Sequence, residues 1–412
     1  MKRVADFAHH RLYDSVRRRS LAIAAPLSAE DCGAQSMPDA SPVKWHLAHT
    51  TWFFETFILE QHEQGFAPYH PAFRTLFNSY YNGVGARHPR PQRGLLTRPS
   101  LDEVLAYRAH VDERMVRLLA QRGSEPRMAA LVQLGLQHEQ QHQELMLTDL
   151  KHLFAQNALL PAYAGEALAR GAAAQPVEWI AFEGGMREIG YDGDGFCFDN
   201  ELPRHPQYVL PFALASRLVT NGEYLAFIEA GGYREPSLWL SEGWDAVSAQ
   251  GLAHPLYWMR MDDGSWAEFT LHGLQALDPA RPVTHVSLYE ADAFAQWSGA
   301  RLPTEAEWEC AAAGIVPGDG ALHPRAAAGA GLSQMFGECW QWTSSSYGPY
   351  PGFAPAAGAI GEYNGKFMLN QYVLRGASCV TPAGHARASY RNFFPAHARW
   401  QFSGIRLART GG

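Results

Sequence analysis

The chain has 412 residues, 47% of them hydrophobic and 18% charged, enough to bury the cores of two or three domains. A net charge of −7 without any block of like charges argues against a nucleic-acid or membrane-surface partner and points to a small-molecule substrate. The five cysteines (Cys32, Cys197, Cys310, Cys339 and Cys379) are scattered and form no Cys-x-x-Cys pair, so neither a disulfide framework nor a zinc ribbon is expected, and a reducing cytoplasm is the default location.

The first expected element is a helix over residues 6–24, with Tyr13, Val16, Leu21 and Ile23 on one face. Its basic run from Arg17 to Arg19 followed by apolar residues imitates a targeting signal, but the apolar stretch is short and broken by Pro26. No run approaches the ~20 apolar residues that a membrane span needs. A second helix over residues 42–61 carries His46 and His49 beside Trp45 and Trp52. Residues 66–99, rich in Pro, Gly, Arg and Tyr, are too irregular for a helix and too long for an idle connection, and loops of that kind carry function. Helices over residues 101–121 and 127–154 complete a set of four, which suggests a bundle. Residues 156–175 are mostly small and end at Pro176, as a linker or packed crossover would. From Val177 onward short segments, many glycines and dense tryptophans indicate a mixed α/β domain with much irregular structure, so the fold class is α+β.

Chemistry concentrates in His138-Glu-Gln-Gln-His142. On a helix the i, i+4 spacing stacks two imidazoles on one face, and a third from a neighbouring helix completes one side of a coordination sphere while the opposite side stays open. The segment also matches the H-E-x-x-H pattern of zinc proteases, in which the glutamate is the general base. Such an enzyme takes a third ligand downstream, but Asp149 lies seven residues on and His152 falls off the helical stripe, which makes His49 the better third ligand. The competing account is a wet helix face built from Gln140, Gln141, Gln143 and Glu144. Three neutral imidazoles suit Fe, Zn, Cu or Ni, and spacing does not choose among them.

Trp45-His-Leu-Ala-His-Thr50, Asn78-Ser-Tyr-Tyr81, Arg87-His-Pro-Arg-Pro-Gln-Arg93 and the His138–His142 segment together resemble the EgtB family. Downstream, Arg301-Leu-Pro-Thr-Glu-Ala-Glu-Trp-Glu309 and Gly404-Ile-Arg-Leu-Ala408 resemble the formylglycine-generating-enzyme-type domain that those proteins carry. The resemblance implies a DinB-like four-helix bundle (residues 1–165), a linker (166–176) and a C-type-lectin-like domain (177–412). It implies iron(II) held by His49, His138 and His142, with O2 as cosubstrate. Members join sulfur to the imidazole C2 of hercynine (Nα-trimethylhistidine), and the SenA branch joins selenium from a selenosugar to the same carbon. By motif position Gln141 becomes a hercynine contact, Tyr80 and Tyr81 proton donors to reduced oxygen, and Arg87, Arg90 and Arg93 holders of the donor's carboxylate. Asn392 becomes a carboxylate contact and Phe393, Phe394 and Trp340 substrate-side groups, aromatic faces being suited to a trimethylammonium group.

The family's Gly-Asn-Val-Trp-Glu-Trp and Arg-Gly-Gly-Ser segments appear here as Gly337-Glu-Cys-Trp-Gln-Trp342 and Arg375-Gly-Ala-Ser378. Gln341 in place of an anionic glutamate and the soft Cys339 tilt the expected donor toward the selenosugar, with cysteine or γ-glutamylcysteine as the alternative. Formylglycine generation is a remote alternative, since Cys379 has no following cysteine partner, and an oxygen-independent DinB-type thiol transferase is another.

Overall fold

The computed structural model describes residues 2–171, 173–318 and 320–411, with side chains from His10 onward. The chain divides into two units: Met1–Leu159 with Ala357–Tyr363, and Leu160–Ala356 with Asn364–Gly412.

The first unit is built on four long helices: α1 (Lys2–Ala24), α2 (Val43–Phe54, continued by a π-helical turn at Glu55–Leu59 and a last turn at Glu60–His62), α3 (Leu101–Arg122) and α4 (Pro126–Ala155). Local chemistry sets their starts. Ser100 and Glu103 form a reciprocal capping box at α3, and Pro126 opens α4 at a position where no amide donor is needed. From Val43 to Phe54 every residue of α2 except Lys44 is buried, so this helix runs through the unit's core instead of lying on it with one face in solvent. Gly135 of α4 permits a close approach. A Cβ there would stand 2.8 Å from the Phe54 ring and 3.0 Å from that of Phe53. The irregular stretch between α2 and α3 contains one helical turn at Phe73–Leu76 and a 3₁₀ segment at Arg90–Leu95.

The second unit holds four small sheets among the described residues. β1 (Trp179–Phe182), β4 (Phe212–Ala215) and β12 (Ala408–Thr410) form one antiparallel sheet, and β2 (Gly185–Ile189) pairs with β3 (His205–Val209). β5 (Trp258–Arg260), β6 (Trp266–Thr270) and β7 (Gly273–Ala276) form a meander. The last sheet runs β10 (Asn392–Phe394), β9 (Tyr372–Gly376), β8 (Trp340–Ser346), β11 (Ser403–Gly404), with β11 parallel to β8. Four helices of two to three turns complete it: α5 (Asn221–Glu229), α6 (Ser241–Gln250), α7 (Leu288–Trp297) and α8 (Glu305–Ala312). The Arg301–Glu309 motif has a structural explanation here: Thr304 and Glu307 cap α8, Arg301 pairs with Glu307, and Trp308 is buried in the core with Phe336, Met335 and Leu214. The described residues of the small-residue stretch before Val177 form no helix or strand and are mostly exposed, tied down where the Gly171 amide donates to Asp278 and the Ala169 carbonyl accepts from Arg281. The mixed helix-and-sheet architecture agrees with the α+β expectation. Among the described residues no disulfide forms, and no helix is long and apolar enough to cross a membrane.

Candidate metal centre

His49 projects from the buried α2 and His138 and His142 from one face of α4, and one ligand atom from each ring lies within 4.8 Å of the other two. The unused nitrogens of His49 and His142 have partners, whereas that of His138, Nδ1, is buried with none. His49 Nδ1 lies 2.6 Å from the Phe77 carbonyl, which only accepts, so the proton sits on Nδ1 and Nε2 presents a lone pair. His142 Nδ1 meets His46 Nδ1 at 2.8 Å, again leaving Nε2, and His138 turns its own Nε2 to within 3.2 Å of His49 Nε2. Burial first, and the mutual repulsion of the rings second, hold His49 and His142 well below the ordinary histidine value; burial brings His138 down to about 3. Buried neutral imidazoles converging on one point are the donor set that a borderline divalent cation requires, so these residues fit a metal ion.

Aromatic rings fix the three histidines. Trp45 stacks on His49 at 4.6 Å and 12°, Trp52 covers it at 5.5 Å and 18°, and Phe53 packs on His138 at 4.9 Å. The Arg93 guanidinium lies 3.3 Å over Trp45, extending the stack outward from the ligand.

Glu139 does not face this cluster. It is fully buried, with one oxygen accepting from Arg17 at 2.8 Å and the other from Ser20 at 2.5 Å and from Arg108. Both oxygens are occupied by fixed donors, which removes the protease-type general base. Two opposing cations more than offset the cost of burying Glu139, holding its carboxyl down to about 2. His152 bonds Ser36, and neither it nor Asp149 joins the three-histidine group.

The three arginines that look equivalent in sequence occupy different places. Arg87 is exposed, and Arg90, also exposed, donates to the Asp39 carbonyl. Arg93 alone is buried beside the centre, donating to Ser41 at 2.8 Å and Ser79 at 3.0 Å while its Nε has no partner. Burial, then the neighbouring Arg90, pull its guanidinium below the ordinary arginine value, a situation that an incoming anion relieves.

Tyr81 is buried against Trp52 and Phe57, with its hydroxyl 3.4 Å from that of the half-buried Tyr80, and burial raises its phenol well above the ordinary value. A third tyrosine, missed in the sequence, packs against the histidine cluster: the Tyr363 ring sits 5.7 Å from His138, its hydroxyl donates to Gln141 Oε1, and Tyr80 packs on it at 6.3 Å. Glu362 anchors this segment by accepting from the amides of Asn82 at 2.9 Å and Gly83 at 2.7 Å. A Cβ at Gly83 would meet Glu362 Oε1 at 3.1 Å, so the glycine admits the contact.

The other expected site residues belong to the second unit. Phe393 stacks on Tyr347 at 4.0 Å and 10°, Phe394 packs edge-on against Trp400, Trp340 is buried beside Tyr390, and Asn392 Oδ1 accepts from the Phe393 amide.

Residues 12–146 match the DinB superfamily, and residues 166–327 and 321–411 match the sulfatase-modifying factor enzyme 1-like domain. A hercynine oxygenase of Mycobacterium tuberculosis is 32% identical, the match covering 95% of this chain and 96% of that protein. The chain belongs to the hercynine oxygenase, or EgtB/SenA, family. Another hercynine oxygenase, from Mycolicibacterium thermoresistibile, is 31% identical over 90% of this chain and 88% of its own. Ergothioneine biosynthesis protein 1 of Schizosaccharomyces pombe is 28% identical over 52% of this chain and 28% of its own length. Within this EgtB/SenA member the departures noted at 339 and 341 are interior. Gln341 is fully buried, accepting from Trp308 and Arg406 at 2.7 Å each and donating to the Met335 carbonyl at 2.8 Å, and Cys339 is buried beside Gly404. Gln341 therefore serves the packing of the second unit, with both ends of its amide engaged there.

Proposed function

We propose that the chain forms a carbon–chalcogen bond oxidatively at the imidazole C2 of hercynine, with iron(II) held by His49, His138 and His142 and O2 as cosubstrate. The observation that carries this is the convergence of three buried, neutral imidazoles on one point in a chain related to hercynine oxygenases over almost its full length. When bound, iron supplies the redox chemistry with dioxygen, through the coordination positions that three protein ligands leave open. The protein's own groups do the rest. Tyr363, hydrogen-bonded to Gln141 and seated against His138, would donate the proton that reduced oxygen needs, with Tyr80 packed on its ring and Tyr81 next to Tyr80, and Gln141 would offer its amide to the substrate. Arg93 supplies a buried cation for a carboxylate, and Arg87 and Arg90 supply exposed positive charge on the same loop. Asn392, Phe393, Phe394 and Trp340 are assigned to hercynine by their motif positions, aromatic faces favouring its trimethylammonium group.

Tyr363→Phe keeps the ring and removes the proton. It is expected to lower kcat by about 10²-fold with little change in KM for hercynine, as measured by steady-state product formation.

The selenosugar assignment rests on sequence alone, on the substitutions at 341 and 377 and on Cys339, whose side chains are buried in the second unit. The second reading, cysteine or γ-glutamylcysteine as donor, is supported by the unpaired Nε of buried Arg93, which suits a donor carboxylate, and by the relatives' names. Anaerobic reconstitution with iron(II), then exposure to air with hercynine and each donor and mass spectrometry of the products, tests both. The expected result is a C2-substituted product that requires iron and air. Product from the thiols alone removes the selenium assignment, and product formed without air replaces the proposal with a thiol transferase.

A further inference from the structure

His46 and Asp149 lie outside the three-ligand group, yet both are buried and connected to it. His46 sits three residues before His49 on α2, and Asp149 two helical turns after His142 on α4, each facing the seam between these helices. Their contacts form a chain. His142 Nδ1 is 2.8 Å from His46 Nδ1, His46 Nε2 is 3.1 Å from Asp149 Oδ2, and the Ser41 amide donates to the same Oδ2 at 2.8 Å, while Asp149 Oδ1 has no partner.

We infer that His46 and Asp149 are positioning residues that set the proton on His142 and so hold its Nε2 lone pair toward the metal. The inference rests on the metal reading above and extends it to the groups behind one ligand. Asp149 Oδ2 already receives the Ser41 amide and acts as an acceptor, so His46 must place its proton on Nε2 to reach it. His46 Nδ1 is then a lone pair and accepts from His142 Nδ1–H. His142, being neutral, has its remaining lone pair on Nε2. With the opposite polarity, His46 Nδ1–H would donate to His142 Nδ1, the His142 proton would move to Nε2, and that nitrogen would be closed to a metal. One carboxylate therefore fixes the tautomer of a ring it does not touch. His49 is set independently by the Phe77 carbonyl, so His49 and His142 are fixed by different acceptors.

The direct test is ¹⁵N NMR of the zinc-loaded, histidine-labelled full chain, in which tautomers are read from the ring nitrogens. The expected pattern is a protonated Nδ1 on His142 and a protonated Nε2 on His46; a protonated His46 Nδ1 overturns the inference. A second measurement uses His46→Phe and Asp149→Leu, both checked for native helical circular dichroism, with zinc affinity determined by competition against a chelator. Each is expected to lose about 10- to 100-fold in affinity. The double variant should lose no more than the weaker single one, because the two groups act in series. Affinities within twofold of the native chain in both single variants overturn the inference alone. A native chain that takes up no stoichiometric zinc overturns the metal reading and the inference together.

Discussion

His138→Ala is expected to reduce product formation at least on the order of 10³-fold and to leave the chain unable to retain metal on desalting. Losing a metal's contribution to catalysis costs several kcal/mol of barrier stabilisation, and each 1.36 kcal/mol is a factor of ten. The His138 ring lies 4.9 Å from that of His49 and 4.5 Å from that of His142, so its removal leaves two donors where three met. The same variant carries a pH signature in the metal-free chain. The buried histidines titrate far below their unfolded value of about 6.5, so the unfolded chain binds protons first as pH falls. Their contribution is whole above pH ~6.5 and drains as pH drops toward the folded value, about 3 for His138. Urea midpoints at pH 7.5 and pH 5 should therefore converge more in His138→Ala than in the native metal-free chain. Full activity with two histidines would remove the three-ligand assignment.

Glu139→Ala is the largest expected effect on stability, about 3–5 kcal/mol, although this residue faces away from the three-histidine cluster. Arg17 and Arg108 reach Glu139 from α1 and α3, so the carboxylate ties three helices together under the ligand pair. Arg17 keeps Asp112 when Glu139 is lost, whereas Arg108 retains only the Arg17 carbonyl and two threonine hydroxyls and is left a buried cation with no carboxylate against it. A fall in the helical unit's thermal midpoint on the order of 10 °C is expected by calorimetry. Glu139→Gln, which keeps an acceptor, should fall by less. An unchanged midpoint in Glu139→Ala would mean that the buried triad contributes nothing to holding α4 in place.

The physics that makes a feature legible in one sequence explains which parts of the site were visible. His49, His138 and His142 were visible because helical spacing alone puts the last two on one face and a second histidine-bearing helix supplies the other. The four helices of the first unit were visible for the same reason, their apolar residues recurring at helical spacing. The π-helical turn at Glu55–Leu59 was not, since neither Gly nor Pro marks it, and the contact that accompanies it, Glu55 accepting from Tyr107, lies 52 residues along the chain. Tyr363 was invisible because it reaches Gln141 across 222 residues from a glycine-rich stretch without periodicity. Arg87, Arg90 and Arg93 share one loop and one charge, and only burial against Trp45 separates them. Glu139 shows the opposite failure, a motif position whose spacing suggested catalysis while its contacts make it a helix tie. The short strands of the second unit gave little alternation to read, with β8 covered on both sides over Trp340–Thr343 and β10 only half-buried throughout.

The most direct measurement is a crystal of the full chain grown anaerobically with iron(II), with data collected on both sides of the iron absorption edge. A single anomalous peak within coordination distance of the Nε2 atoms of His49, His138 and His142 is the result this account predicts. A peak elsewhere, or three rings linked only by water in iron-saturated crystals, would contradict it.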